Sequence, residues 1–280
     1  MRAAILPERS VVRLSGADAA HFLNNLVTSE VGTLKPGEAR FAALLTPQGK
    51  ILFDFFVVAC GPDEGDGYVF DVPRALTDDF VQRLNFYKLR AKVTIEPRPD
   101  LAVAVVFDGT PLDELGLEFP DPRLAGLGTR VILPREGAEA ALATATLVDG
   151  EAWQQLRIAL GVPEGGKDFI YSDTFPHEAA MDTLNGVDFE KGCFIGQEVV
   201  SRMQHRGGAR KRVVPVAYQD GAPMPGVEIK AGDKSVGFMG SAANGRGLAM
   251  LRLDRVEEAL AAGGTIMGGG IALTLVESGQ

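Results

Sequence analysis

The sequence predicts an α+β protein that ends in a small antiparallel β-barrel or sandwich. Up to about residue 208, amphipathic helical patterns alternate with short apolar strands. After Arg212, short alternating or apolar strands are separated by glycine and proline, which is typical of small all-β domains. The length of 280 residues, with 46% hydrophobic residues, is enough for two domains or three small ones.

Several elements are predicted before the barrel. Residues 17–30 and 76–89 have the three-to-four spacing of helices, and strands at 40–45 and 50–59 flank the turn-like TPQG. Two further helices are predicted at 138–147 and 151–160. The irregular stretch that follows is rich in aromatic residues, so we expect it to be ordered and functional.

Charge and composition exclude some classes of function. The net charge of −9 argues against a broad nucleic-acid surface. No apolar run approaches the roughly 20 residues of a membrane helix, and the start MRAAILPERS lacks the pattern of a signal peptide. We therefore expect a cytoplasmic protein without a membrane partner, with its two cysteines reduced.

The stretch KGCFIGQE contains one of these cysteines, Cys193. GQEVVSRMQHRGG predicts a helix that opens at Gly196, which places Cys193 just before a helix N-terminus, two residues from Lys191. Both features favour a thiolate. The alternative is a small residue fitted into a tight, glycine-flanked turn. Cys60 follows an apolar strand and is predicted to be buried.

A basic cluster interrupts the acidic sequence after this cysteine. It either attracts an anion with carboxylate or phosphate groups, or it is a solvated helix end. Its members are Arg202, His205, Arg206, Arg210, Lys211 and Arg212.

Two carboxylates are further candidates. Glu178, in TFPHEAAMD, is placed to accept two parallel N–H bonds from a heterocycle, or it is an ordinary acid of a first helical turn. Asp54 lies in an apolar strand, so its charge must be paired, protonated or exposed. The cysteines and histidines follow none of the common metal-site spacings, so we predict no metal site.

The order of motifs along the chain resembles the YgfZ family of folate-binding proteins, which includes mitochondrial factors that help to mature iron–sulfur enzymes. These motifs are, in order, FLNNLVTSEV, ARFAALLTPQGKILFDFFV, LNFYKLRAKVTI, FPHEAAMD and KGCFIGQEVVSRMQHRG. KGCFIGQE is the family signature. The family is related to the glycine-cleavage T-protein, an aminomethyltransferase that uses tetrahydrofolate.

The resemblance implies a T-protein-like cloverleaf of two α/β lobes plus the small C-terminal antiparallel barrel. Residues 1–46 with 148–208 would form a central α/β body. Residues 47–147 would form an inserted α/β lobe, and residues 209–280 the barrel.

The resemblance also implies a bound tetrahydrofolate or related reduced folate. Glu178 matches the glutamate that binds the pterin ring, and a carboxylate suits paired N–H donors. Arg202 and Arg206 are expected partners of the folate carboxylates, and Gln197 of the signature is assigned to the same site.

The chain departs from the T-protein at two places. Where that enzyme has a pair of aspartates, this chain has Phe53 and Asp54, and where it has another aspartate, this chain has Cys193. Cys193, Lys191 and Asp54 are the candidate catalytic residues. Lys191 would favour the thiolate and bind an anionic or one-carbon group, and Cys193 would be a nucleophile, a redox group or a transient cluster ligand.

Three functions are compatible with these residues and with the family resemblance. The first is a tetrahydrofolate-binding accessory protein for the assembly or repair of iron–sulfur client enzymes. The second is a folate-dependent aminomethyl or one-carbon transferase of the T-protein type. The third is a scaffold that docks client enzymes through its basic helix end.

Overall fold

The chain forms two compact units. In the first unit, Met1–Trp153 is joined by Leu184–Gln197, and the second unit consists of Gln154–Thr183 and Glu198–Gln280. The predicted boundaries of the central body, the inserted lobe and the barrel stay a prediction. The computed structural model describes residues 1–61, 66–109, 115–205 and 209–276.

The first unit contains two five-stranded sheets. Its strands are β1 (Arg2–Ile5), β2 (Arg9–Ser15), β3 (Ala39–Leu45), β4 (Ile51–Cys60), β5 (Gly67–Pro73), β6 (Thr94–Pro97), β7 (Leu101–Phe107), β8 (Leu117–Pro120), β9 (Thr129–Pro134) and β10 (Thr146–Leu147). One sheet is antiparallel throughout, in the order β3-β4-β5-β2-β6. The other has the order β10-β1-β7-β9-β8 and is antiparallel except for the parallel pair β1 and β10.

Two of the helices of this unit, the first and the second, cover one face of the antiparallel sheet. The helices that begin in this unit are α1 (Ala19–Asn24), α2 (Thr77–Lys88), α3 (Ala138–Ala141) and α4 (Gly150–Ala159). Phe80 of α2 lies against the rings of Phe55 and Phe70, at centroid distances of 5.1 and 5.3 Å. Each such side chain stabilises the fold by about 1.5–3 kcal/mol through burial. Along β4, odd-numbered residues such as Phe55 join this core, because side chains alternate between faces.

A buried cluster of charged residues links the two sheets. Asp71 of β5 accepts hydrogen bonds from Arg9 of β2 and Arg130 of β9. Arg130 and Arg123 also pair with Asp121, which follows β8. Burial alone raises the pKa of Asp121, but the guanidinium groups of Arg123 and Arg130 lower it to about 2. The ring of Phe56 completes the cluster, with the Arg130 guanidinium carbon 3.8 Å from its centroid.

The second unit contains the predicted barrel, which is closed and antiparallel. Its elements are α5 (Gln197–His205), β11 (Lys211–Ala217), β12 (Glu228–Ala231), β13 (Lys234–Ala243), β14 (Arg246–Arg252), α6 (Leu253–Ala261), β15 (Ile266–Gly268) and β16 (Ile271–Leu275). The strand order is β11-β14-β13-β12-β15-β16, and β16 pairs with β11 to close the ring. Closure leaves no unpaired edge strand.

The irregular stretch after α4 is ordered by a buried arginine. Arg157 donates to Asp168 at 2.6 Å, to the carbonyl of Val162 at 3.0 Å and to Ser241 of β13 at 2.7 Å. Asp168 in turn accepts from the backbone N–H groups of Glu164 and Ser241. Breaking a buried pair of this kind typically costs about 3–5 kcal/mol.

Candidate functional site

The signature KGCFIGQE lies in the segment of the first unit that returns after residue 183. Helix α5 begins at Gln197, one residue after the predicted opening at Gly196. Gly196 has φ +81°, and a Cβ there would lie 2.7 Å from the carbonyl oxygen of Thr46 and 2.9 Å from Cα of Gly49. The signature turn therefore packs directly against the TPQG turn, and only glycine fits.

Lys191 is an anchor at the end of α1. Its ammonium group donates to the backbone carbonyl oxygens of Asn24, Val27 and Ser29, at 2.8, 2.8 and 2.9 Å. Carbonyl groups at a helix C-terminus lack helical partners and carry partial negative charge, so they suit a cation.

The charge state of Lys191 reflects its burial. Its pKa is lowered from 10.5 to about 8 by desolvation, while the carboxylates of Glu30 and Asp188 act to raise it. All three ammonium protons are directed to carbonyl groups. Lys191 therefore anchors the loop to the end of α1. An effect of Lys191 on the Cys193 thiol stays a prediction.

Cys193 is exposed between two buried residues. Lys191 and Phe194 are each 8% exposed, whereas Gly192 and Cys193 lie at the surface. Nζ of Lys191 lies 5.7 Å from the ring centroid of Phe194, within the range of a cation–π contact. The loop is thus fixed on both sides of the thiol, and the thiol itself is accessible.

Thr28 forms a second attachment of this segment, which the sequence analysis missed. Its hydroxyl donates to the carbonyl of Gly186 at 2.6 Å and accepts the N–H of Ala43 at 2.8 Å. Its carbonyl accepts the N–H of Asp188 at 2.9 Å. Thr28 belongs to the motif FLNNLVTSEV, and its place in that motif is the sequence feature that could have identified it as a functional residue.

Asp54 lies in β4 and is 7% exposed. Because side chains alternate, it shares a face of the strand with Phe56, which belongs to the arginine cluster. The fully exposed alternative for Asp54 is therefore wrong, and the side chain is buried.

Glu178 lies in the second unit and is half-buried. Its Oε2 accepts the backbone N–H of Phe175 at 2.9 Å within a hydrogen-bonded turn, and no helix forms among the described residues between α4 and α5. Its backbone carbonyl accepts the N–H of Val213 at 2.7 Å, which fixes the motif against β11. The carboxylate therefore has a defined orientation.

The residues of the basic cluster lie in different environments. Arg212 is used internally, since it donates to Asp182 and to the carbonyl of His177. Arg202 is exposed on α5 of the second unit. Gln197 is half-buried and is the last residue of the first unit. Arg206 lies outside the described residues.

A cavity of about 460 Å³ lies in the second unit between the irregular stretch and the barrel. It is lined by Thr174, Lys211, Phe238 and Met250 among others. Glu178 and Arg202 do not line it. The cavity therefore does not bring the predicted folate residues together.

The fold is that of the T-protein. Over 99% of this chain and 86% of the other, it matches the crystal structure of the glycine cleavage system aminomethyltransferase T from Bartonella henselae, with a TM-score of 0.78 and 17% identity. At this identity the likeness concerns the fold alone. The predicted α+β class, the T-protein fold and the C-terminal barrel are confirmed.

Sequence comparison defines the family. Residues 210–278 match the profile of the CAF17 C-terminal beta-barrel domain. The human mitochondrial iron-sulfur cluster assembly factor IBA57 is 31% identical over 277 residues, 90% of this chain and 78% of the human protein. The mouse protein is 31% identical over 280 residues, with the same shares. The chain belongs to the family of the iron–sulfur cluster assembly factor IBA57.

The match to fungal relatives covers less of their length. The mitochondrial homologue of Neurospora crassa is 28% identical over 236 residues, which are 78% of this chain and 54% of that protein. The chain thus spans about half the length of this relative.

Two expectations need correction. The YgfZ resemblance identified the right group in part, because YgfZ is the bacterial relative, but the family shown is that of IBA57. The expectation of a cytoplasmic protein is wrong, because the human, mouse and Neurospora relatives are all named as mitochondrial. Amino-acid composition alone does not distinguish cytoplasmic from mitochondrial proteins. Within the described part of the chain, no helix is long and apolar enough to cross a membrane.

Proposed function

We propose that this chain supports iron–sulfur assembly by offering the thiolate of Cys193 to a cluster in transfer. The observation that carries the proposal is an exposed cysteine held between two buried neighbours, Lys191 and Phe194. The chain belongs to a family of iron–sulfur assembly factors, and thiolates are the usual ligands of such clusters.

The cluster would be shared with a partner protein. Iron–sulfur clusters are commonly held by four protein ligands. Among the described residues, no group of three or more histidine, cysteine or acidic side chains is arranged to hold a metal ion. The other cysteine, Cys60, is buried. One exposed thiolate then completes a coordination shell whose other ligands come from the protein that delivers or receives the cluster.

The geometry favours a ligand over an activated nucleophile. General-base activation needs a basic group within hydrogen-bond reach of the thiol. The nearest candidate in sequence, Lys191, directs its three protons to carbonyl oxygens of the first unit. An exposed and rigid thiol suits transient coordination, because the partner approaches without rearrangement of the loop.

To test this proposal, the purified chain is mixed anaerobically with a carrier protein that holds an iron–sulfur cluster. We expect the Cys193→Ser variant to lose the cluster-dependent changes in visible absorption and circular dichroism that the wild-type chain produces. Cys60→Ser is the matched control and should behave as wild type. Identical spectra for wild type and Cys193→Ser would remove the proposed ligand role.

We further propose that the second unit binds a reduced folate through Glu178. The oriented, half-buried carboxylate fits the paired N–H donors of a pterin ring. Arg202, which is exposed on α5, is a candidate partner for a folate carboxylate, and Arg206 is assigned to the same ligand from its charge. When bound, the folate supplies a carrier for one-carbon groups.

Calorimetric titration with tetrahydrofolate tests this part separately. Glu178→Gln should weaken binding by about 1.5–3 kcal/mol, the usual worth of a charged hydrogen bond. Glu190→Gln, at an exposed site of the first unit, is the control. Absence of binding to the wild-type chain would remove the folate proposal and leave the thiolate proposal standing.

A second candidate is a folate-dependent one-carbon transferase. The burial of Asp54 in β4 favours it, because a buried carboxylate is a usable acid or base. The presence of Phe53 and Cys193 where the T-protein has acids opposes it. If it holds, the chain should catalyse folate-dependent aminomethyl transfer, and Asp54→Asn should abolish turnover.

A further inference from the structure

The C-terminal end of α2 exposes two large apolar side chains. Phe86 is 70% exposed and Leu89 is 89% exposed. Phe86 lies three residues before Leu89, on the side of the helix that faces away from the core. The side chains of Phe80 and Leu84 on the other side are fully buried. The fold thus leaves two large apolar side chains in solvent at this helix end.

The same region is strongly basic. Residues 80–95 contain Arg83, Lys88, Arg90 and Lys92 and no acidic residue, in a chain whose net charge is −9. Within the described part of the chain, none of these four side chains forms an ion pair. We call Arg83, Phe86, Lys88, Leu89, Arg90 and Lys92 together the α2 tip.

Leu89 is also held in an unfavourable backbone conformation. It ends α2 with φ +43° and ψ −102°, a region that favours glycine. A glycine would relieve this strain. The leucine side chain buries almost nothing in return, so its presence is not explained by folding. Strain of this kind points to a role outside the fold.

We propose that the α2 tip is a docking surface for an anionic lipid bilayer. The four cations would lie among the lipid phosphates, and Phe86 and Leu89 would enter the boundary between headgroups and acyl chains. A surface contact of this kind needs no membrane-spanning helix. The acidic remainder of the chain is repelled by the same membrane, so the basic tip sets the orientation.

A bilayer fits the tip better than an acidic protein does. The two apolar side chains project from a helix end, and the cations flank them on both sides in sequence. An acidic protein would need a groove matched to this projection, whereas a bilayer accepts any projecting apolar group.

The test is co-sedimentation of the full chain with vesicles. One set contains phosphatidylcholine alone, and the other also contains phosphatidylglycerol. Wild type should bind the anionic vesicles and release them at high salt. Both Phe86→Ser with Leu89→Asn and Arg83→Gln with Arg90→Gln should lower binding by at least about tenfold.

Matched controls come from the second unit. Met224→Ser removes an apolar side chain that is 76% exposed, and Lys234→Gln with Arg246→Gln removes two exposed cations. Neither control should change binding. The proposal is overturned if wild type ignores anionic vesicles, or if the controls lower binding equally. It is also overturned if wild type binds soluble polyglutamate as strongly as it binds anionic vesicles and Phe86→Ser with Leu89→Asn binds the vesicles like wild type. Those two results would indicate an acidic protein partner.

Discussion

At the scale of single residues, the contacts of Lys191 explain how Cys193 is presented. A lysine two positions from a cysteine suggested an electrostatic effect on the thiol. Its ammonium joins three carbonyl oxygens at the end of α1 and holds the loop in place, and its effect on the thiol stays a prediction. Sequence reasoning missed this arrangement because backbone carbonyls exist at every residue and carry no sequence signal.

Replacement of Lys191 by methionine should therefore destabilise the first unit. Methionine keeps much of the apolar stem but leaves three carbonyl groups without their donor, which costs about 3 kcal/mol. Lys35→Met, at an exposed position of the same unit, is the control and should leave the stability nearly unchanged. Urea unfolding measures both, and equal stability of Lys191→Met and wild type would exclude the anchor.

The lowered pKa of Lys191 gives this contribution a definite pH dependence. Between its folded value of about 8 and its ordinary value of 10.5, the unfolded chain binds the extra proton. The free energy of unfolding contributed by this group therefore rises with pH in that range. The stability difference between wild type and Lys191→Met should grow by about 2–3 kcal/mol from pH 8 to pH 10.5. A flat difference would show that Lys191 keeps its ordinary pKa, and a falling one would show that its pKa is raised in the folded chain.

At the scale of elements, strands were easier to predict than helix ends. The strands predicted at 40–45 and 50–59 are found as β3 and β4, because alternation and turn residues define them locally. The helix predicted over 17–30 is only Ala19–Asn24. Its spacing continued to Val27, but Val27 pairs with Leu44 as an isolated bridge, and a long-range contact of this kind has no local signal.

The signature turn gives a test at this scale. Gly196→Ala places a Cβ within 2.7 Å of the Thr46 carbonyl oxygen and strains a backbone at φ +81°. It should cost roughly 2 kcal/mol or more. Gly192→Ala in the same loop meets nothing within 4 Å and serves as control. Thermal unfolding distinguishes them, and a neutral Gly196→Ala would mean that the two turns are not packed as described.

At the scale of the whole molecule, the sequence predicted the class and the barrel but not the links between sheets. The barrel follows from a local alternation of apolar residues and turns. The arginine cluster joins residues as distant in sequence as Arg9 and Arg130, and no local pattern relates them. The order of motifs supplied the T-protein fold, and it placed Glu178 and Cys193 without giving their contacts.

The arginine cluster predicts an asymmetry between buried and exposed ion pairs. Asp121→Asn leaves the buried Arg123 and Arg130 undercompensated, so it should lower the free energy of unfolding by about 3 kcal/mol or more. Asp100→Asn breaks the exposed pair with Arg98 and should leave the free energy of unfolding nearly unchanged. Denaturant unfolding of both variants checks this, and similar small losses would show that the cluster does not stabilise the link between sheets.

The most direct test of the central claim is complementation in cells that lack their own member of this family. The measured quantity is the activity of an iron–sulfur enzyme that depends on the factor, with matched expression of each variant. We predict that wild type and Cys60→Ser restore the activity and that Cys193→Ser does not, because only Cys193 is exposed to a partner. Full restoration by Cys193→Ser would contradict the account and leave Cys193 as a residue of a tight turn.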